Sequence, residues 1–218
     1  MKTKPIFSLF FSLFAVLVFA QKTDSLRAKW NYEPNFTAGF DVLNAAIAPF
    51  SDRKLFQGFV SSRISRKIHA VTELGFEKNS YGKNGYDATA SGFFLKPGAF
   101  YMLSTDPENT TSGFYGGAKL GGSFYSQEYF KIPVRGYEGS DQSVSLPQST
   151  QSSYWFEANA GGRVKVFDTN FFIDLNVQPK FLVFTTKQEG VMPMIVPGFG
   201  KSSSKFAMGF NWNIAYLF

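Results

Sequence analysis

Lys205 to Phe218 reads KFAMGFNWNIAYLF. Phe206, Met208, Phe210, Trp212, Ile214, Tyr216 and Phe218 fall on one parity. Lys205, Ala207, Gly209, Asn211, Asn213, Ala215 and Leu217 fall on the other. Strict alternation marks a β-strand whose two faces meet different surroundings. An unbroken face of large apolar side chains, set against glycine and amides, suits a strand in a closed transmembrane barrel, with lipid outside and a polar interior. A sandwich strand with one oily face is the reading this stretch alone leaves open.

The same alternation recurs upstream. Phe171, Ile173, Leu175, Val177, Pro179, Phe181 and Val183 oppose Asp174, Asn176, Gln178 and Lys180 in a strand over 171–185. Tyr154, Phe156, Ala158, Ala160, Gly162, Val164 and Val166 oppose Glu157, Asn159, Arg163 and Lys165 over 153–167. Phe114, Gly116, Ala118, Leu120, Gly122 and Phe124 oppose Tyr115, Lys119, Ser123 and Tyr125 over 113–125. Further strands are expected at 35–43, 55–64, 68–78 and 90–103, the second and fourth weakly patterned. The apolar faces of the last four strands carry no charge, although 17% of the chain is charged. A charge facing lipid at the bilayer midplane costs roughly 2–4 kcal/mol. Pro97 and Pro179 fall inside expected strands, where each removes a ladder bond and calls for a bulge or a revised limit.

The expected connections alternate in length: 44–54 longer, 65–67 short, 79–89 longer, 104–112 shorter, 126–152 long, 168–170 short, 186–203 long. Short turns on one side and long loops on the other characterise outer-membrane barrels. An even number of strands leaves both termini on the periplasmic side. Tyr101, Phe114, Phe171, Tyr216 and Phe218 would girdle that side, and Phe124, Tyr154 and Phe206 the outer one.

At the N-terminus, Lys2 and Lys4 precede an apolar run from Ile6 to Phe19, and Val18-Phe19-Ala20 offers a cleavage site before Gln21. This predicts a signal peptide over 1–20, a short periplasmic segment over 21–34 and one barrel domain over 35–218. The chain has no cysteine, so neither disulfides nor lipoprotein acylation is open to it. Its 27 phenylalanines and 20 glycines, without a spanning helix after cleavage, fit a barrel that hides its backbone from lipid. The net charge of +6 is modest and dispersed, and in an exported chain it does not indicate a nucleic-acid partner.

The residues resemble a known family. Gly39-Phe40-Asp41-Val42, Glu73-Leu74-Gly75-Phe76-Glu77-Lys78, Val196-Pro197-Gly198-Phe199 and Ser204-Lys205-Phe206-Ala207-Met208-Gly209-Phe210-Asn211 are similar to an uncharacterised family of small outer-membrane barrels of Bacteroidota, a domain of unknown function. Phe210, Trp212, Ile214, Tyr216 and Phe218 resemble the C-terminal assembly signal of bacterial outer-membrane barrels, which ends in an aromatic. The resemblance implies an all-β, eight-stranded antiparallel barrel in a Gram-negative outer membrane. It implies no catalytic residue, cofactor, metal or ligand.

Eight strands enclose a space that side chains can fill. Asp41, Arg63, Glu73, Lys119, Glu157, Arg163, Lys165, Asp174 and Lys180 are the expected interior polar network, with both signs present. His69, the single histidine, is expected to point inward at the periplasmic end. Its nearest same-face acid, Glu73, lies about 13 Å along the strand, so no catalytic constellation forms on it. Glu73 and Glu77 share a face as inward or rim polar residues. No cofactor and no enzymatic activity are expected. The expected role is structural or interactive: outer loops, chiefly Ser126–Ser152 and Thr186–Ser203, binding an outer-membrane protein partner, or an accessory subunit of a larger assembly. A narrow channel or ligand-guiding barrel comes second, and a lipid-modifying enzyme third. Expected partners are outer-membrane lipid and lipopolysaccharide, which loop residues Arg135, Lys187 and Lys201 could meet, and the barrel-assembly machinery during insertion.

Overall fold

The computed structural model describes residues 35–104, 111–134, 136, 142–202 and 204–218. The signal peptide at 1–20, the segment at 21–34, most of the turn at 104–112 and Arg135 lie outside the described residues.

In chain order the elements are β1 (Phe36–Asp41), helix α1 (Val42–Ile47), a 3-10 turn (Ala48–Phe50), β2 (Arg53–Arg63), β3 (Ile68–Lys83), β4 (Tyr86–Met102), β5 (Gly113–Val134), β6 (Gln142–Lys165), β7 (Phe171–Thr185), the short β8 (Ile195–Val196) and β9 (Gly200–Lys201), and β10 (Phe206–Leu217). Among the described residues, eight strands in the order β1-β10-β7-β6-β5-β4-β3-β2 close into an antiparallel barrel. The C-terminal strand shuts the ring, paired to β7 along its length and to β1 over its last residues. β8 and β9 pair only with each other.

The parity read from the sequence holds in the barrel. On β10, Phe206, Met208, Phe210, Trp212, Ile214 and Tyr216 are exposed, while Asn211, Asn213 and Ala215 are buried. On β7, Phe171, Ile173, Leu175 and Val177 face out, and Phe172, Asp174, Asn176 and Gln178 face in. The aromatics expected at the end that carries the chain terminus meet there. Phe171, Tyr216 and Phe218 pack edge to face at 4.9–5.0 Å between centroids. Tyr154, expected at the other end with Phe124, lies 6.2 Å from both Phe124 and Phe184, but β5 and β6 run on past it to Val134 and Gln142, so Phe124 and Tyr154 sit at mid-strand.

The strand limits differ from expectation in four places. The segment 79–89 is not a loop, because β3 and β4 run on to a two-residue turn. Asn84 and Gly85 hold it with φ of 54° and 78°, the left-handed pair of a tight hairpin. Most of 126–152 is likewise strand, giving β5 and β6 lengths of 22 and 24 residues. The long and short connections of the sequence are therefore largely long and short hairpins.

Strand one, expected to run to Leu43, stops at Asp41. The Asp41 carboxylate accepts from Asn44 N at 3.1 Å, and this cap turns the chain into α1. Finally, 186–203 is not an outer loop. Its described residues, 186–202, fold into the mouth of the barrel around the β8–β9 pair, with Ile195, Val196 and Phe199 in the apolar core.

Both prolines stay inside their strands without a register shift. β4 pairs with β5 at Leu95↔Gly122 and Gly98↔Lys119 but not between. β6 pairs with β7 at Glu157↔Lys180 and Ala160↔Val177 but not between. Pro97 and Pro179 sit in those intervals, and the missing N–H accounts for the gap. No bulge is needed.

Candidate functional site

The interior is layered, and single strands carry the layering. Reading inward-facing residues along β6 gives Trp155, Glu157, Asn159 and Arg163. β4 gives Phe94, Lys96 and Phe100, and β5 gives Tyr125, Lys119 and Tyr115. A charged layer thus lies between two apolar ones.

At the end that carries Phe36 and Phe218, the apolar layer is Phe59, Val71, Phe100, Met102, Tyr115, Phe172 and Ala215. Arg163 is held within it. Its guanidinium lies over the rings of Phe100, Phe59 and Tyr115 at 5.4–5.9 Å, and its Nε donates to Asp174 at 2.9 Å. Asp174 is a hub. It also accepts from Tyr115 OH at 2.9 Å, Asn176 at 3.0 Å and Asn213 at 3.3 Å. A buried acid with four donors is satisfied to capacity. His69 is buried here too, its ring stacked on Phe100 at 4.8 Å between centroids.

The middle layer joins two acids to three lysines. Lys119 bonds Glu73 and reaches Glu157 at 3.2 Å. Lys96 lies 2.5 Å from Glu73 and 3.5 Å from Glu157. Lys180 lies 3.8 Å from Glu157. Between this layer and the Arg163 layer is a void of about 10 Å³, room for one water. Arg163 Nη1 and Asn159 Oδ1, both buried without a partner, belong to residues that line it.

The third layer is the cap, 186–202, seated on Leu55, Phe94, Tyr125, Trp155 and Leu182. Val196 and Phe199 are fully buried beneath it, with Phe199 against Trp155 at 5.9 Å. Two side chains from opposite walls grip one residue of the cap. Gly198 N donates to Glu77 at 2.8 Å, and Lys180 Nζ donates to Gly198 O at 2.7 Å. Glu77 is itself held by Arg53 at 2.7 Å. Gly198 has φ of 79°, and a Cβ there would come within 2.5 Å of the Phe94 ring, so only glycine fits. Higher up, Tyr129 OH donates to Met192 O at 3.0 Å, and Gln188 donates to Pro147 O at 2.7 Å. The projecting part of β5 and β6 thus backs the cap.

Of the nine polar residues expected inside, Asp41, Glu73, Lys119, Glu157, Arg163, Asp174 and Lys180 are buried. Six of these make up the Arg163 and lysine layers. Asp41 instead joins Gln57, Asn44 and Asn211 behind α1. Arg63 and Lys165 are half-buried at the rim. Sequence reasoning missed Lys96, Glu77 as a cap ligand, and Gln57. The signal for Lys96 was present, since Phe93, Leu95, Pro97, Ala99 and Tyr101 fix the outward parity and leave it inside. Phe94 and Phe100, inward aromatics, obscured it. No group of three metal-ligating side chains occurs among the described residues.

A closed eight-stranded antiparallel barrel, its bore occupied by ion pairs and its mouth by its own chain, is the class of molecule this defines. The chain belongs to the DUF6048 family, a domain of unknown function whose model matches residues 2–218. No curated protein matches it.

Proposed function

We propose that this is a small integral barrel of a Gram-negative outer membrane, of the Bacteroidota type, whose role is structural or interactive, as an accessory subunit of a larger outer-membrane assembly. In this reading 1–20 is a cleaved signal peptide and both ends of the mature barrel lie in the periplasm. The barrel-assembly machinery reads Phe210, Trp212, Ile214, Tyr216 and Phe218.

The observation that carries the reading is the segregation of the barrel wall. Phe114, Leu120, Phe124, Val164 and Val183 are each at least 63% exposed, and the neighbouring outward positions on β7 and β10 are apolar as well. In water so large an apolar surface would associate. In a bilayer it is the surface required, and a ring of paired strands satisfies the backbone. A tilted strand needs about 9–11 residues to cross. β3 to β6, at 16–24 residues, would stand clear of lipid and of lipopolysaccharide headgroups on the cap side. With 186–202 turned inward, the surface offered to a partner is this projecting wall rather than two free loops.

The filled bore favours a barrel that does not conduct. Gentle detergent extraction of tagged protein from outer membranes, followed by mass spectrometry, is expected to return a fixed set of partners. A barrel that always purifies alone would refute the subunit reading. Steady single-channel conductance in planar bilayers would put the narrow channel first, and an altered lipid profile in a His69→Ala strain would put the lipid enzyme first.

A further inference from the structure

The barrel wall is incomplete on the cap side. β1 covers β10 only from Asn213 to Leu217 and β2 only from Gly58 to Ser62, because β1 ends at Asp41. From Phe206 to Trp212, β10 has β7 on one side and, among the described residues, no strand on the other. Hydrogen-bond parity identifies the unpaired groups. Phe218 N donates to Phe36 O, and Leu217 N donates to Asn170 O. Even-numbered residues of β10 therefore point their amides toward β1, and odd-numbered ones toward β7. Continued upward, the N–H and C=O of Trp212, Phe210, Met208 and Phe206 open into the place where β1 has run out. By the same rule Arg63 N, bonded to Asn35 O, sets odd-numbered residues of β2 facing the slot, Leu55 among them.

Among the described residues α1 stands there, and its bond to this edge is from Asn44 Nδ2 to Phe210 O at 3.4 Å. The helix is six residues long and buries none of them. Isolated helices of that length are not stable in water, and Ile47 at its end and Phe50 beyond it are exposed. In lipid, each unsatisfied backbone group costs several kcal/mol.

We propose that this slot is a strand-addition site: an extended segment of a partner outer-membrane protein displaces α1 and pairs with the Phe206–Trp212 edge of β10. The chemistry of the slot selects the occupant. It offers N–H and C=O in pairs at every second residue, about 7 Å apart, which another extended backbone matches and an acyl chain does not. It opens directly beyond the end of β1, between β10 and β2, the two strands that β1 pairs with, so the segment continues β1 in the wall. Outward neighbours Phe206, Phe210 and Phe56 call for apolar side chains on one parity. Inward neighbours Ala207, Leu55, Asn211 and Gln57 call for small or amide side chains on the other. This rests on the subunit reading and names where the partner attaches.

The test is a photo-crosslinking amino acid at Phe210 in the full chain in native outer membranes, with Val177, its outward neighbour on β7, as control. A single protein partner is expected at 210 and not at 177. Met208→Pro then removes an amide that faces the slot and spares the ladder to β7, so the barrel should form and the crosslink should fall to the control level. Met208→Ala keeps the amide and should keep the crosslink. Heat-modified gel migration checks folding of each variant. A partner that purifies with the protein but crosslinks equally at both positions, or survives Met208→Pro in a folded barrel, overturns the strand-addition site and leaves the subunit reading standing. A crosslink to a second copy overturns the proposed partner. No partner from any variant overturns both readings.

Discussion

The two ends of the barrel solve the same problem differently. Where Phe36 and Phe218 meet, all eight strands are paired and the bore is filled from the wall alone, by Arg163 caged in three aromatic rings and tied to Asp174. Toward the cap, β1 has given way to a short helix, and the bore is filled by a chain segment held through Gly198. The first end has its contacts built into the ladder. The second depends on pieces held by side-chain contacts rather than by the ladder. The terminal end is therefore expected to be the rigid one, and a change of shape is expected at the cap end.

Four substitutions sharpen or break that contrast. Glu157→Ala strands Lys96, Lys119 and Lys180 with one acid between them, and is expected to destabilise the whole barrel by about 3–5 kcal/mol. Urea titration of refolded barrel in detergent measures it. Leu175→Arg puts a charge on the outward face of β7 and should cost about 2–4 kcal/mol when the barrel is folded in bilayers. The penalty should shrink sharply at Val183, nearer the strand end, and an equal penalty at both sites would break the lipid-facing account.

Gly198→Ala combines left-handed backbone with a clash on Phe94. The backbone alone costs about 1–2 kcal/mol. Limited proteolysis should then cut within 186–202 while the barrel still migrates as folded. Loss of the whole barrel would show that cap and wall are one unit. The smallest effect is expected from Gly85→Ala, at about 1 kcal/mol, confined to the tip of the β3–β4 hairpin and visible as faster amide exchange there and nowhere else.

What could be read in advance follows from the same physics. β7 and β10 were legible because their outward faces are apolar throughout, while their inward faces are polar over the charged middle of the barrel. The interior acids and bases on β5 to β7 followed from that parity. β4 was harder, because Phe94 and Phe100 point inward into apolar layers and blur the alternation around Lys96. Asn84-Gly85 has the chemistry of a hairpin turn, but it was read only as part of a loop over 79–89, because the residues beside it are polar although they lie in β3 and β4. The cap was not legible. Gly198 and Phe199 carry no periodic signal, and their partners Glu77, Lys180 and Trp155 are distant in the chain. The end of β1 turned on one carboxylate, since Asp41 could face the bore as a strand residue or cap a helix, and it does both.

The central claim, that the outward parity of the wall faces lipid and the inward parity a filled bore, is open to one direct measurement. The chain has no cysteine, so single cysteines at consecutive positions from Leu175 to Gln178 can be spin-labelled in bilayer-reconstituted protein. Collisions with oxygen and with a water-soluble nickel chelate are then compared. The account predicts high oxygen and low nickel access at 175 and 177, and low access to both at 176 and 178. Nickel access at 175 and 177 equal to that of a label on an exposed hairpin tip would contradict it.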